Sequence, residues 1–227
     1  MSFLPYRVLG ALIAAAMLAS IIYVFVSPTW YVEGAQVNGL RYLSSDEICA
    51  AAGIDGLSIF YVDPQQLAQK LEALPSVERA IVVCRLPAQV DIQIVERTPA
   101  AIWQSQGVQY WVDTSGKLFQ RAADLAGLPI IVEQDATARA VGGQADKATL
   151  EAVLGLRRLL PEVTVFGFSR QGGLSFDLPS GQRVLASTSQ EPARTAAALK
   201  TLTAYFQEQN IEPTVIDLRY GQRAFWH

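Results

Sequence analysis

A run without a single charge, from Val8 to Val32, is the feature that most restricts this chain. Its densest part, Val8 to Val26, reads VLGALIAAAMLASIIYVFV. About 20 helical residues cross a hydrocarbon core about 30 Å thick. Lipid offers the backbone no hydrogen-bond partner, so helix is the form such a run takes there. Trp30 and Tyr31 follow at one end, where amphipathic rings settle at headgroup level. Arg7 lies at the other end, and Glu33 is the first charge beyond the run. The positive-inside bias then makes residues 1–7 a cytoplasmic tail and residues 8–27 a single transmembrane helix, with the bulk of the chain extracytoplasmic at the inner or plasma membrane. A cleaved signal peptide is the rival reading, with Ala16, Ala19 and Ser20 as small-residue cleavage positions. Cleavage there would leave IIYVFV as an apolar new terminus, and the run is long for a signal core.

The remaining composition narrows the chemistry. Charged residues make up 17% of the chain and the net charge is −3, so there is no clustered basic surface for a nucleic-acid partner. The single histidine, His227, is the terminal residue, which leaves no internal histidine for a Ser-His-Asp or Cys-His set or for paired zinc ligands. No catalytic, cofactor-binding or metal-ligating residue is assigned, and no small-molecule substrate is expected. Two cysteines are too few for a disulfide scaffold. Cys49 falls in a short helix and Cys84 in a strand. They read either as two core thiols or, if that helix packs over that strand, as a disulfide, and spacing alone does not choose.

Beyond Ser27-Pro28 the patterning is α+β. Tyr31 to Val37 reads as a strand ending in an Asn38-Gly39 turn. Ser44 to Glu47 is a capping box, flanked by Leu43 and Ile48 as a staple, and opens a helix from Ser45 to about Ala52. Asp63 caps a second helix with Pro64 at its first position, and Leu67, Leu71 and Leu74 share a face. Ala80 to Arg85 is an apolar strand, and Val90, Ile92 and Ile94 alternate with polar neighbours. The order β-α-α-β-β defines one domain over residues 30–98, with Pro99 marking a boundary. Residues 99–227 form a second, strand-rich mixed α/β domain. It holds a hairpin around Asp113 to Gly116, amphipathic helices over Asp146 to Leu160 and Pro192 to Gln209, and a strand at Leu128 to Val132. Further strands are expected at Glu162 to Phe168, Leu174 to Leu178, Gln182 to Ala186, Thr214 to Leu218 and Arg223 to Trp226.

Some segments invite a chemical reading and fail it. Asp113-Thr114-Ser115-Gly116-Lys117 is no phosphate loop, since Gly107 is too far upstream and Leu118 stands where Ser or Thr is needed. It lacks the second aspartate that an aspartic-protease dyad requires, so a turn remains. Glu96 and Arg97 read as a surface or interdomain ion pair. The last segment is different: Ile216, Leu218 and Tyr220 alternate with Asp217 and Arg219, and Phe225 and Trp226 place two large aromatics near the chain end. An edge strand kept open for a partner, presenting Ile216, Leu218, Arg219, Tyr220, Arg223, Ala224, Phe225 and Trp226, fits that pattern.

These marks in this order resemble the FtsQ/DivIB family of bacterial cell-division proteins, whose first soluble domain is a POTRA domain. Val37-Asn38-Gly39, Leu74-Pro75-Ser76-Val77, Glu96-Arg97-Thr98-Pro99-Ala100, Val112-Asp113 with Gly116 and Phe119, and Ile216-Asp217-Leu218-Arg219-Tyr220 carry the resemblance. Two features depart from the family's pattern: the tail is short, and Ser76 stands where an aromatic is frequent. The resemblance implies a non-catalytic, bitopic divisome scaffold at the division septum that links division proteins for septal peptidoglycan synthesis. Its implied partners are bitopic proteins of the FtsB/FtsL type, held by Leu174 to Ala186 and Ile216 to Trp226, and for the POTRA domain FtsK or the septal synthase. A POTRA-type transport or outer-membrane assembly component is the alternative, though no barrel strands follow. A membrane-anchored cell-wall enzyme is the second alternative.

Overall fold

The structure, a computed structural model, describes residues 6–135, 138–220 and 223–227. The expected cytoplasmic tail lies largely outside the described residues, and residues 221–222, between the last two expected strands, wholly so. The charge-free run forms helix α1, Tyr6–Val26, of 21 residues. Every side chain described on it is exposed, Ile13, Met17 and Phe25 by more than half. Those of Arg7 and Val24 are not among the described side chains, and among the described residues no helix is long and apolar enough to cross a membrane. The chain divides into two compact units, one ending at Glu96 and the other spanning Arg97–His227.

In the first unit the strand expected from Tyr31 begins late. Pro28–Trp30 is a 3-10 turn, Tyr31 makes an isolated antiparallel bridge to Ser58, and β1 is Ala35–Asn38. The reason is that Val32 spends its backbone on Leu57 and Gly56, its amide donating to the Leu57 carbonyl (2.9 Å) and its carbonyl accepting from Gly56 (2.8 Å). Both capping signals act as read. The Glu47 amide donates to Ser44 Oγ (3.1 Å) and the Ser44 amide to Glu47 Oε2 (3.0 Å), opening α2, Ser45–Ala52. Asp63 Oδ1 accepts from the amides of Gln65 and Gln66 at 2.9 and 3.3 Å, opening α3, Pro64–Glu72. β2, Val77–Arg85, and β3, Gln89–Glu96, complete a three-stranded sheet in which β3 lies between, parallel to β1 and antiparallel to β2. Val90, Ile92 and Ile94 are buried with Ile48, Leu67 and Leu71, so the alternation of β3 meets the apolar stripes of the helices. Each such side chain is worth roughly 1.5–3 kcal/mol of apolar burial. Gly39 is required by space as well as by conformation: at φ +87° a Cβ there would lie 2.1 Å from the Ile94 carbonyl oxygen.

Glu96 and Arg97 do not pair with each other in the way the sequence suggested. The Glu96 carboxylate accepts from the amides of Arg41, Tyr42 and Leu43 at 2.7–3.0 Å. Three successive donors of the β1–α2 loop converge on one anion, an arrangement an ion pair with the next residue would break. Arg97 Nη1 instead donates to Asp113 Oδ2 at 2.8 Å within the second unit.

Among the described residues, that unit is built on a nine-stranded sheet. Along the chain its strands are β4 (Ala101–Ser105), β5 (Val108–Val112), β6 (Leu118–Gln120), β7 (Ile130–Glu133), β8 (Val165–Ser169), β9 (Gly173–Asp177), β10 (Arg183–Ala186), β11 (Val215–Tyr220) and β12 (Arg223–Trp226). Their order across the sheet is β12-β11-β10-β9-β8-β7-β4-β5-β6. The parallel neighbours β7–β8 and β10–β11 are joined through α4, Lys147–Leu159, and α5, Pro192–Gln209, as parallel pairing demands a crossover. Leu150, Val153 and Leu156 of α4 and Leu199 and Phe206 of α5 bury against Phe166, Leu174, Val184 and Ile216. The helices meet so closely that a Cβ at Gly155 would lie 2.6 Å from Pro192 Cγ.

Replacing Glu96 by Ala leaves three converged amides without their acceptor. The expected cost is about 2 kcal/mol, read as a lower denaturant midpoint, with amide exchange at residues 41–43 accelerating first. Unchanged exchange at those amides would refute the clamp.

Candidate partner-binding edge

An open sheet has two edges, and each is a template for another strand unless something covers it. Here the two are treated differently.

The β6 edge is sealed by its own chain. The Leu118 amide donates to the Gly143 carbonyl and the Gly142 amide to the Leu118 carbonyl, at 2.9 and 2.8 Å. The Ala145 amide donates to the Gly116 carbonyl (2.8 Å), and Lys117 bridges Gln144. What holds that covering segment is a buried ion pair. Glu133, at the end of β7, has no side-chain exposure and accepts from Arg139 Nε and Nη2 at 3.0 and 2.7 Å. Trp103 Nε1 donates to the same carboxylate at 3.0 Å, and the guanidinium lies 5.6 Å from the Trp103 ring centre. Arg139 Nη1 donates on to the Gln144 carbonyl (3.0 Å), and Tyr110 Oη to the Arg139 carbonyl (2.9 Å). Burial alone pushes the Glu133 carboxyl up, but hydrogen bonds from Arg139, Trp103 and Ser105, with the guanidinium charge, outweigh it and leave it below the usual carboxylate range. Sequence reasoning missed this network; a lone glutamate closing an apolar run (Ile130 to Val132) was the only available signal.

Among the described residues, no segment pairs with the outer side of β12. Ile216 and Leu218 alternate into the core, almost wholly buried, so they build the strand and present nothing outward. Asp217 faces the other way and fastens its own neighbour: its Oδ1 accepts from the amide and Nε of Arg219 (3.0 and 2.9 Å), and its Oδ2 from Nη2 (2.6 Å). These hydrogen bonds hold the Asp217 carboxyl below its usual range against a smaller opposing effect of burial. The Arg219 guanidinium is therefore engaged at home, with Nη1 3.4 Å from the Gly172 carbonyl as well. The pairing of β11 with β12 slips between Asp217 and Tyr220, at this staple.

His227 and Val215 exchange both backbone hydrogen bonds (3.3 and 3.1 Å). By the alternation of an antiparallel ladder, Phe225 faces Asp217 in the same manner, and Ala224 and Trp226 direct their amides and carbonyls away from the sheet. Phe225 (53%) and Tyr220 (62%) are exposed and lie edge-to-face with centroids 5.7 Å apart. Trp226 packs on Phe206 and Tyr205 of α5, at 5.4 and 6.3 Å, and stays 42% exposed. Arg223 is exposed and Ala224 half-buried. Of the residues read from the sequence, Tyr220, Arg223, Ala224, Phe225 and Trp226 thus share the edge, whereas Ile216 and Leu218 belong to the core. β9 and β10, the rest of the expected surface, are hydrogen-bonded on both sides and offer no edge.

The other singled-out residues play structural parts. Asp113 Oδ1 accepts from the Ser115 amide (2.9 Å), Ser115 Oγ (2.6 Å) and the Lys117 amide (2.9 Å), and Oδ2 from Arg97. This is the turn expected between β5 and β6. Burial pushes its carboxyl up, but those hydrogen bonds and the Arg97 charge carry it below its usual range. Cys49 and Cys84 are free thiols, both half-buried, and burial raises the pKa of Cys84. A largely apolar groove of about 780 Å³ runs along α5 past Leu159, Leu178 and Ala197, away from these groups.

Fold and edge together define a two-unit α+β protein, with a β-α-α-β-β unit of POTRA topology followed by a mixed sheet that closes one edge and leaves the other open. A family model for the FtsQ-type POTRA domain matches residues 33–97, and one for the C-terminal domain of cell division protein FtsQ/DivIB matches residues 101–219. The chain belongs to the FtsQ/DivIB family of cell-division proteins. It is 35% identical over 117 residues to cell division protein FtsQ of Chloroflexus aurantiacus, covering 52% of this chain and 43% of that one. It is 30% identical over 176 residues to the Syntrophotalea carbinolica protein of that name, covering 76% and 62%. The matched stretch thus spans less than two thirds of these relatives. With Geotalea daltonii FtsQ the identity is 26%, covering 94% of this chain and 82% of the relative.

Removing the Arg139 side chain leaves Glu133 buried without its cation, and Arg139→Ala is expected to cost about 3 kcal/mol. Chemical denaturation measures it, and a loss below about 0.5 kcal/mol would show the pair to be no more than a surface contact. Unfolded Asp and Glu titrate near pH 4. With Asp113 lowered in the fold, its contribution is complete above about pH 4 and is lost as pH falls through the lower folded value. Asp113→Asn is expected to lower stability at pH 7 and to flatten the decline below pH 4; an acid limb as steep as that of the parent would contradict this.

Proposed function

We propose that this chain is a bitopic, non-catalytic scaffold of the bacterial division machinery. It captures an extended segment of another division protein on the outer edge of β12, by β-augmentation. The observation that carries this reading is the asymmetry of the sheet: one edge is covered by a segment fixed with a buried ion pair, while the other carries outward backbone groups flanked by exposed aromatics. Main-chain pairing supplies affinity in such a mode, and side-chain pockets supply selectivity. Proteins of the FtsB/FtsL type are the proposed occupants, with FtsK or the septal synthase engaging the POTRA-like unit. The role is to link these proteins for septal peptidoglycan synthesis.

In this reading α1 crosses the inner or plasma membrane once, with the N-terminus cytoplasmic and the chain beyond α1 outside. Counted whole, with Arg7 and Val24, whose side chains lie outside the described ones, its 21 residues amount to about 31 Å at 1.5 Å each, and the exposed apolar side chains described on it suit a lipid surround.

Partner capture is expected to depend on backbone as well as rings. Tyr220→Ala and Phe225→Ala should each weaken it by about 2 kcal/mol, the cost of truncating an aromatic anchor. Ala224→Pro removes an outward amide that the fold does not use, and proline is tolerated where an edge N–H faces solvent. It should leave thermal unfolding intact while abolishing co-purification with the FtsB/FtsL-type partner. If Ala224→Pro binds as the parent does, augmentation is wrong. A fluorescent fusion should gather at mid-cell and its depletion should give filaments; a uniform envelope signal with normal division would remove the divisome role.

A further inference from the structure

We propose that the first unit touches the membrane a second time, through the segment Gly56–Val62, so that Leu57, Phe60 and Tyr61 lie in the headgroup layer beside the exit of α1. The inference rests on the membrane-spanning reading of α1 and goes beyond it, from how the chain is anchored to how the first unit is held against the lipid.

The connection from helix to unit has no slack. The Ser27 amide closes the helix on the Tyr23 carbonyl (2.8 Å), and the amides of Trp30 and Tyr31 donate to the carbonyls of Ser27 (3.2 Å) and Pro28 (3.0 Å). Tyr31 is already bridged to Ser58, and Val32 is hydrogen-bonded to both Leu57 and Gly56. Only residues 27–30 separate the helix from the unit, and they are themselves a hydrogen-bonded turn. A segment remote in sequence is thereby fixed next to the helix end. The rings show it directly: Phe60 lies 5.3 Å from Trp30 and 6.3 Å from Phe25 in the last turn of α1.

What that segment presents suits an interface. Leu57, Phe60 and Tyr61 are 43%, 48% and 74% exposed, on a stretch, GLSIFYV, that carries no charge. Apolar bodies with a phenol tip partition to the headgroup layer, where one end is dry and the other wet. The bounding charges, Asp55 and Asp63, are acidic, as is Glu33. The attraction is therefore apolar rather than electrostatic, and zwitterionic lipid suffices. Two points of contact, helix and loop, limit the tilt of the first unit over the bilayer.

The test is ¹⁹F NMR of the full chain in phosphatidylcholine nanodiscs. 4-Fluorophenylalanine, nearly isosteric with Phe, is placed at position 60 or, as reference, at position 25. Nitroxide on the lipid headgroup should broaden both resonances comparably, and a water-soluble gadolinium chelate should broaden neither strongly. The result should hold from about 0.1 M to about 0.5 M salt, where screening removes electrostatic attraction. If position 25 is broadened by lipid nitroxide but position 60 responds only to the chelate, the second contact does not exist. If position 60 responds to neither while position 25 responds to lipid, a protein surface covers the segment and the lipid assignment is overturned. If position 25 itself ignores the lipid label, the membrane-spanning reading fails first.

Discussion

The Glu133 carboxylate is buried against Trp103 and Arg139, and much of the second unit is arranged by what that charge requires. A carboxylate taken out of water is tolerated only with a cation and hydrogen bonds in good geometry. Arg139 supplies the cation, and supplying it draws residues 138–145 across β6. The sheet is closed on that side as a consequence of an electrostatic need at β7. The last strand has no such cover among the described residues. Asymmetry between the edges, the feature on which the functional reading rests, is thus traceable to one buried pair.

A comparable economy operates where the units join. Glu96 and Arg97 are neighbours of opposite charge, yet each is committed to its own unit: Glu96 to three amides of the β1–α2 loop, Arg97 to the Asp113 turn. A carboxylate facing three converged amide donors gains more than one facing a solvated guanidinium. The E-R pair read from the sequence is two separate fasteners, and the chain divides between them.

Much of the fold was legible because it is written in local periods. Both capping residues of the first unit, the alternation of β3, and the span Pro192–Gln209 of α5 match the sequence reading closely. What escaped lacked a local period. β4 is buried on both faces (Ala101, Ile102, Trp103), so it shows no alternation and was passed over. The Glu133–Arg139–Trp103 network joins residues that only the sheet brings together. At the candidate edge, alternation correctly marked β11 as a strand, but it could not say which face is inward. Ile216 and Leu218 therefore counted as binding residues when they are core, and Arg219, which the family motif favoured, is held by Asp217. Of the residues that remain at the edge, all but Tyr220 belong to the last strand, Arg223–Trp226, where the pattern is weakest.

An edge open to a partner is also open to a second copy of itself, and the structure carries devices that blunt the second possibility. β12 is short, four residues, and presents the charged Arg223. The irregularity between Asp217 and Tyr220 twists the end of the pair away from a flat template, as bulges do. Trp226, anchored on Phe206, fixes the strand before any partner arrives, so ordering costs fall on the incoming segment. A flat, apolar strand would pair with anything extended. In the proposed reading, a short, twisted one flanked by Tyr220 and Phe225 rewards only a segment that brings the side chains to fill the space beside those rings, and selectivity would follow from the same features that keep the edge from pairing with itself.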